Sequence, residues 1–221
     1  MSNIRITAFK WAPPFAQGLV RDLRVRWALE EAGLPYQENL IAFGEQNLPE
    51  YRAIQPFGQV PVYEEDGLTL FESGAIVQHI AERCPTLLPL DPIRRARARS
   101  WMFAALNSVE QHVQNLTSID LFFANEDWAK QRRPGAEKMC VGRLDALAAR
   151  LAGRDYLEEE FTAGDLLMVT VLRLLRHTQL IEDRPALATY KARCEARPAF
   201  QQALAAQMAA FARHEPSAAA A

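Results

Sequence analysis

The stretch from residue 56 to residue 75, PFGQVPVYEEDGLTLFESGA, constrains the local fold more than any other part of the chain. Two short apolar runs flank Asp66-Gly67, a dipeptide that favours the tight turn of a β-hairpin. Pro61 cannot donate to a β-ladder, so it belongs at the first residue of a strand or on a sheet edge. A peptide bond before proline also adopts the cis form far more readily than other peptide bonds do. The stretch therefore predicts a hairpin that is entered through Val60-Pro61.

Both ends of this hairpin carry groups that suit a ligand. With a cis bond, the carbonyl and amide of Val60 would turn outward and pair with the backbone of a bound peptide; with a trans bond, Pro61 would only mark a strand edge. Ser73 is expected at the N-cap of the next helix, whose N-terminus suits an anion, and the neighbouring Glu72 suits a cation. Together they match the head group of a free amino acid, although a plain N-cap beside a solvated glutamate explains them too.

The residues around the hairpin alternate between strand and helix patterns. Residues 4–9 alternate in polarity and predict a strand, while residues 19–33 carry one apolar stripe and end in a glycine, as a helix does. Residues 34–40 predict a second strand and residues 73–83 a further helix. A strand, a helix and a strand within about forty residues indicate a right-handed parallel crossover. The order β-α-β-(short α)-β-β-α is that of a thioredoxin-like half.

Composition changes after Cys84. Three prolines fall within residues 84–92, which is typical of a linker, and the patterns beyond them are helical. In FTAGD, Thr162 and Asp165 have the spacing of a capping box, so Asp165 is assigned to folding. The predicted organisation is an α/β domain over residues 1–84, a linker over 85–92, an all-α domain over 93–214 and a disordered tail over 215–221.

Bulk properties exclude several classes of function. A net charge of −2 and a pI near 6.1 do not favour nucleic acid as a partner. No apolar run has the length of a membrane span, and the N-terminus lacks the apolar core of a signal peptide, so the expected location is cytoplasmic. The three cysteines are widely spaced and the four histidines scattered, which predicts neither disulfides nor a metal site.

Several segments together resemble the cytosolic glutathione transferases. GQVPVYEEDGLTLFESGAIVQHIAER resembles the glutathione-binding segment of that family, and VRWALEEAGLPYQ resembles its first helix and second strand. FTAGDLLMVTVLRLL and YKARCEARPAFQQALA resemble helices of its C-terminal domain. The resemblance covers nearly the whole chain in order and spacing. It implies a thioredoxin-like N-terminal domain, an all-helical second domain and assembly as a homodimer.

The resemblance also implies roles for five residues, with glutathione as the co-substrate. Val60 would pair with the cysteinyl backbone of glutathione beside a cis-Pro61. Glu72 and Ser73 would hold the γ-glutamyl end, and Gln59 is a weaker candidate for the same ligand.

The expected thiol-activating group is missing. Members of the family use a Tyr, Ser or Cys near the first strand or first helix, but residues 9–31 contain none of these. When positions are counted back from the first helix, the catalytic tyrosine of Tyr-type members aligns with Phe15, and the catalytic serine or cysteine of the other members aligns near Leu19. An insertion in KWAPPFAQG would shift both alignments. Arg21 stands where alpha-class members carry an arginine that stabilises the thiolate, although it could instead pair with an acid of its own helix. Thr7 and Lys10 are weaker alternatives.

The electrophile pocket has only aromatic residues and a histidine as candidates. These are Trp11, Trp101, Phe103, Phe122, Phe123 and His177. The sequence thus predicts a glutathione transferase that conjugates the glutathione thiolate to a hydrophobic electrophile. Two alternatives remain: a glutathione-binding or protein-interaction module with little transfer activity, and a glutathione-dependent isomerase or dehalogenase.

Overall fold

The computed structural model describes residues 3–216 and groups them into two compact units. The second unit spans Pro85–Arg197, and the first contains the residues before it together with those that follow. The sequence pattern placed residues 93–214 in one helical domain, whereas the contacts group the last helix with the first unit. Within that unit the ring of Phe200 packs edge-on against Trp27, with centroids 4.8 Å apart. The ranges 1–84 and 85–92 stay predictions, and residues 217–221 of the predicted tail lie outside the described residues.

The first unit is built on a four-stranded sheet in the order β2-β1-β3-β4. Strand β1 runs parallel to β2 and antiparallel to β3, which pairs with β4 as a hairpin. The elements are β1 (Ile4–Phe9), α1 (Asp22–Ala32), β2 (Tyr36–Ile41), α2 (Pro49–Arg52), β3 (Val62–Glu65), β4 (Leu68–Leu70), α3 (Ser73–Ala81) and the final helix α9 (Pro198–Arg213). The first seven elements follow the predicted order, and the thioredoxin-like arrangement is confirmed.

The hairpin of β3 and β4 has its turn at one end of the sheet and the residues that precede β3 at the other. Asp66 and Gly67 have φ values of 47° and 89°, as the predicted two-residue turn requires at both central positions. In the antiparallel pairing, Val62 lies opposite Thr7. The residues just before Val62 therefore lie at the same end of the sheet as the loop that leaves β1.

Helix α1 is fixed by a buried ionic cluster. Asp22 and Arg26 side chains are each about 1% exposed, and Arg26 Nε donates to Asp22 Oδ2 at 2.7 Å. Gln207 of α9 donates to the other carboxylate oxygen at 2.7 Å. Glu38 of β2 accepts hydrogen bonds from Arg26 and from Arg213 of α9. The cluster therefore ties α1 to both a strand and the last helix.

The second unit consists of helices. They are α4 (Pro92–Phe103), a π-helical segment (Ala104–Glu110), α5 (Gln111–Phe122), α6 (Asp127–Leu151), α7 (Ala163–Leu172), a 3-10 turn (Arg173–Leu175) and α8 (Pro185–Glu195). The sequence pattern predicts one long helix over residues 93–116; the first three elements form it and continue six residues further. The sequence pattern also predicts a helix over residues 135–153, but its start is wrong by eight residues, because α6 begins at Asp127 and continues through Pro134.

The capping box at the start of α7 is confirmed. Thr162 is the N-cap, and its hydroxyl accepts from the Gly164 amide, while its own amide donates to Asp165 at 2.8 Å. Asp165 also accepts from the Leu157 amide and the Tyr190 hydroxyl, both at 2.9 Å. These contacts agree with a folding role for Asp165.

Within residues 3–216, no helix combines the length and the apolar character needed to cross a bilayer.

Glu65 connects the hairpin to α3 through a polar cluster. Its carboxylate accepts from the Tyr63 hydroxyl and from Arg83 Nη1, both at 2.7 Å, and His79 Nε2 lies 3.4 Å away. Arg83 donates to the Tyr63 hydroxyl oxygen at 2.9 Å as well. The hydrogen bond from Arg83 lowers the pKa of the Glu65 carboxyl from 4.5 to about 2.

The first prediction concerns the stability that this cluster contributes. Because the folded-state pKa is depressed, the ionised Glu65 stabilises the fold above pH 4.5, and the contribution disappears as the pH falls toward about 2. We expect Glu65→Gln to lower the free energy of unfolding by about 2 kcal/mol at pH 7, with part of the pKa shift discounted because Arg83 is partly exposed. The gap between wild type and variant should narrow steadily below pH 4.5 in urea titrations.

Glu64→Gln is the matched control for this experiment. Glu64 pairs with Arg5 on an exposed face of the sheet, where an ion pair contributes less than about 1 kcal/mol. An equal loss in both variants, or a gap for Glu65→Gln that is independent of pH, would contradict the assigned role of Glu65.

Candidate functional site

Val60 and Pro61 lie at the end of the sheet, just before β3. Their peptide bond is cis, as the resemblance implied. The Val60 side chain is buried against Tyr51 and Val62. In the described part of the chain, no backbone–backbone hydrogen bond outside the regular helices and strands involves Val60. The buried side chain thus anchors a backbone segment whose polar groups are candidates for contact with a ligand.

Short helix α2 braces the loop that leads to Val60. The Tyr51 hydroxyl donates to the Gln59 carbonyl at 2.7 Å, and Arg52 Nη1 donates to the Pro56 carbonyl at 2.8 Å. Gly58 has a φ of 63°, and a Cβ built there would lie 2.7 Å from the Arg52 guanidinium carbon. Burial raises the pKa of Tyr51 to about 12, so its hydroxyl remains a donor at neutral pH. Sequence reasoning missed both bracing residues, because α2 is a single turn without a periodic pattern.

Glu72 and Ser73 lie at the start of α3, but one residue out of the predicted register. The N-cap is Glu72, which has a φ of 69° and makes no side-chain capping hydrogen bond. Ser73 is the first helical residue and is 5% exposed. The predicted N-cap role of Ser73 is therefore wrong, because the chain enters the helix through a left-handed residue. A non-glycine residue in this conformation costs about 1–3 kcal/mol, and such residues concentrate at functional sites.

The Ser73 hydroxyl has a partner that the sequence did not predict. Arg24 of α1 is 3% exposed, and its Nη1 donates to Ser73 Oγ at 3.2 Å. Because the two residues are 49 positions apart, no local pattern could have paired them. The one signal in the sequence was that Arg24 interrupts the apolar residues of α1, which indicates a buried arginine that needs a partner.

The start of α1 carries the predicted thiol-activating positions. Arg21 is the N-cap of α1 and is half-buried. Phe15 is 45% exposed, and Leu19 is half-buried in the turns that precede the helix. Neither Phe15 nor Leu19 has a side-chain hydrogen-bond donor, so Arg21 is the polar group at these three positions.

The weaker candidates on β1 and its loop have other surroundings. Thr7 is fully buried in the sheet, where its hydroxyl accepts from Asn39 Nδ2 at 3.1 Å, and this contact indicates a structural role. Lys10 continues the sheet through a hydrogen bond from its amide to the Ile41 carbonyl at 2.8 Å. Trp11 is half-buried, and its indole nitrogen is buried without a hydrogen-bond partner among the described residues.

The other electrophile-pocket candidates belong to the helical unit. The Trp101 indole nitrogen donates to Glu158 at 2.9 Å. The Arg150 guanidinium lies over the Trp101 ring, 5.4 Å from the ring centroid. Phe103 and Phe122 are exposed, and Phe123 packs against Trp128 with ring centroids 5.2 Å apart.

A cavity of about 510 Å³ in the helical unit contains His177 but none of those aromatic residues. His177 Nε2 lies 3.2 Å from Asp120 Oδ2, and Arg133 Nε donates to the other oxygen of that carboxylate at 2.7 Å. Arg133 also donates to Glu137. Asp120, Arg133, Glu137 and His177 therefore form one charged cluster on the wall of this cavity, which does not suit a hydrophobic electrophile. In residues 3–216, no cluster of three or more His, Cys, Asp or Glu could hold a metal ion.

Comparison with known proteins identifies the family. The family described as "Glutathione S-transferase, N-terminal domain" matches residues 17–82. Glutathione S-transferase F10 of Arabidopsis thaliana is 30% identical over 215 residues, which cover 87% of this chain and 94% of the relative. The chain belongs to the glutathione S-transferase family. The matched segment includes α1, the hairpin and all of α3, but it begins after Trp11 and Phe15.

Two further similar proteins bear on the function. A probable maleylacetoacetate isomerase 2 of Drosophila melanogaster is 29% identical, with 81% of each chain covered. The crystal structure of a glutathione transferase from Burkholderia graminis, with two glutathione molecules bound per subunit, matches with a TM-score of 0.79 and 26% identity. That match covers 91% of this chain and 87% of the other. The fold of this transferase-family chain is therefore that of solved family members.

Proposed function

We propose that the protein is a glutathione transferase that binds reduced glutathione in its first unit and conjugates the thiolate to a hydrophobic electrophile. The observation that supports this most directly is the pair of contacts available for a peptide-like ligand. The Val60 backbone lies at the sheet end with a buried side chain, and α3 begins at a strained, exposed Glu72. The glutathione bound to the Burkholderia graminis relative supports the choice of ligand.

In the proposed complex, each end of glutathione has its own partner. The Val60 amide and carbonyl pair with the cysteinyl backbone, beside the cis bond to Pro61. The carboxylate of the γ-glutamyl head group lies at the N-terminus of α3, near Ser73, and its ammonium lies near the Glu72 carboxylate. Gln59 remains a candidate for a further contact, although its carbonyl already accepts from Tyr51.

The chemical step needs a thiolate, which this chain must stabilise without a Tyr, Ser or Cys at the usual position. Arg21, as the N-cap of α1, places a cation beside the positive end of that helix. Both effects lower a thiol pKa. The thiolate sulfur then attacks the electrophilic carbon, a carbon–sulfur bond forms, and the electron pair passes to a leaving group or an adjacent acceptor.

A second function is favoured by the isomerase relative from Drosophila melanogaster. The same thiolate could add to a conjugated double bond, allow rotation about the resulting single bond, and leave again, so that glutathione is regenerated. A binding module with little transfer activity remains the third candidate, because Phe15 and Leu19 supply no hydroxyl.

The second prediction tests ligand binding. Glu72→Ala should weaken glutathione affinity by about 1–3 kcal/mol, the value of a hydrogen bond to a charged group. Alanine keeps a Cβ at the left-handed position, so the backbone strain is unchanged. Isothermal titration calorimetry measures the affinity of each variant for glutathione. The control is Glu50→Ala, which removes another exposed glutamate of the first unit. Equal affinities in wild type and a folded Glu72→Ala would contradict the head-group assignment.

The third prediction tests thiolate formation. A free thiol titrates near about 8.5, and the bound glutathione thiol should titrate about one to two units lower. Arg21→Ala should raise the bound pKa, so that transferase activity falls at neutral pH and partly recovers at high pH. The measurement is the ultraviolet thiolate band as a function of pH, with Arg5→Ala as the control.

Two outcomes would change the mechanism. If wild type and Arg21→Ala titrate together, Arg21 is not the activating group. If the bound thiol titrates no lower than free glutathione, the binding module becomes the better description.

The fourth prediction concerns assembly, for which we propose a homodimer. On the long helix that the sequence pattern predicts over residues 93–116, Trp101, Met102 and Leu106 are the expected apolar contact surface, but Met102 is buried. The exposed apolar side chains of this long helix instead include Phe103 and Phe122. Light scattering should give a mass of about twice 24.9 kDa. A single species of monomer mass at micromolar concentration would contradict the dimer.

A further inference from the structure

We infer that Arg24 is a positioning residue that turns the Ser73 hydroxyl into a donor for a ligand carboxylate. The inference rests on the proposed glutathione site and adds a residue to it. Arg24 lies on α1, is 3% exposed and reaches Ser73 Oγ with its Nη1 at 3.2 Å. This contact joins the helix of the proposed thiol-activating group to the helix that would hold the head group.

The direction of the hydrogen bond decides what Ser73 can do. A guanidinium group has donors and no acceptor, so the serine oxygen must accept from Arg24. The single hydroxyl proton then points away from the guanidinium. Ser73 is also the first residue of α3 and not its N-cap, so the hydroxyl is not used to cap the helix. A serine arranged in this way presents a proton to an acceptor on its remaining side.

The surroundings favour an anionic acceptor. The N-terminus of the nine-residue α3 presents amide groups and the positive end of the helix dipole. A hydroxyl whose oxygen accepts from a cation becomes a stronger donor, because hydrogen bonds in a chain polarise one another. Arg24 makes other contacts as well, so its role is to orient Ser73 and not to supply an unpaired charge.

The geometry also limits the contact to a single ligand group. Because Ser73 is 5% exposed, its hydroxyl can meet about one ligand atom. A carboxylate oxygen fits both the donor and the helix terminus. In glutathione, the group that would lie there is the α-carboxylate of the γ-glutamyl residue, and Glu72 would take the adjacent ammonium.

The test is a double-mutant cycle read by calorimetry with two ligands. One ligand is reduced glutathione, and the other is the derivative in which the γ-glutamyl α-carboxylate is a primary amide. We expect Arg24→Met to weaken the binding of glutathione about tenfold, as the loss of one charge-assisted hydrogen bond does. The same substitution should change the affinity for the amide by less than about twofold, because an amide offers a weaker acceptor to the oriented hydroxyl.

The cycle separates positioning from general structural support. In a Ser73→Ala background, Arg24→Met should cause no further loss of glutathione affinity, because the group on which it acts is gone. Arg24→Lys, which keeps the charge, should restore part of the affinity. Arg83→Met is the control, since Arg83 donates to Glu65 and Tyr63 and belongs neither to the Arg24–Ser73 contact nor to the cluster that fixes α1. It should lower the melting temperature and leave the ratio of the two affinities unchanged.

Each outcome has a defined meaning. Equal losses for both ligands, or losses that add in the double variant, would overturn the positioning role while glutathione binding itself stands. If Arg24→Met does not fold, the Arg24→Lys and Ser73→Ala cycle decides the same question. If the wild type does not bind glutathione, the proposed function and this inference both fail.

Discussion

The buried pair of Asp22 and Arg26 is the interaction on which the first unit depends. Two charges with about 1% exposure are costly unless every polar group finds a partner. Glu38 of β2 and Gln207 of α9 provide most of those partners, although Arg26 Nη2 and Gln207 Oε1 are buried without a hydrogen bond among the described residues. Because these hydrogen bonds are directional, they allow α1 only one position against the strand and the last helix. Removal of one partner would leave a charge uncompensated, so the cluster fixes geometry more than it adds stability.

The candidate site takes its geometry from this fixed helix and from backbone conformations that local preferences do not favour. Arg24 can orient Ser73 only because α1 is held at a set distance from α3. Glu72 enters α3 with a φ of 69°, and Gly58 provides the space in which the Arg52 guanidinium holds the loop before Val60. The surrounding packing must offset the cost of these features. Their position beside the sheet end agrees with a site whose shape exists before any ligand arrives.

Local signals in the sequence predicted most of the fold. The Asp66-Gly67 turn and the capping box at Thr162 are each encoded within a few residues, and the structure contains both. Helical periodicity predicted the existence of the helices but not their ends, as the extension of α6 through Pro134 illustrates. An apolar stripe identifies the buried face of a helix without identifying what covers it. The grouping of α9 with the first unit was therefore missed.

The candidate site, like the fold, could be predicted only where its residues are close together in the sequence. Val60, Pro61 and Glu72 could be named because they occur together in one continuous segment. Tyr51 and Arg24 could not, because their roles arise from contacts with Gln59 and Ser73 that exist only in the folded chain. The N-cap of α3 is Glu72 and not Ser73 for a similar reason. The residue that follows the hairpin adopts a left-handed conformation, which the residue preferences for N-caps do not predict.

The same buried pair bears on how a thiolate would be stabilised without a hydroxyl. Asp22 is the first residue of α1, where an uncompensated carboxylate would repel a thiolate at the helix N-terminus. Its two oxygens are occupied instead by Arg26 and Gln207, so Arg26 balances its charge within the core. Arg21, one residue earlier, is the N-cap of α1 and is not a member of this pair. The pairing of Asp22 with Arg26 thereby limits the repulsion that this carboxylate would exert on a thiolate in the proposed chemistry.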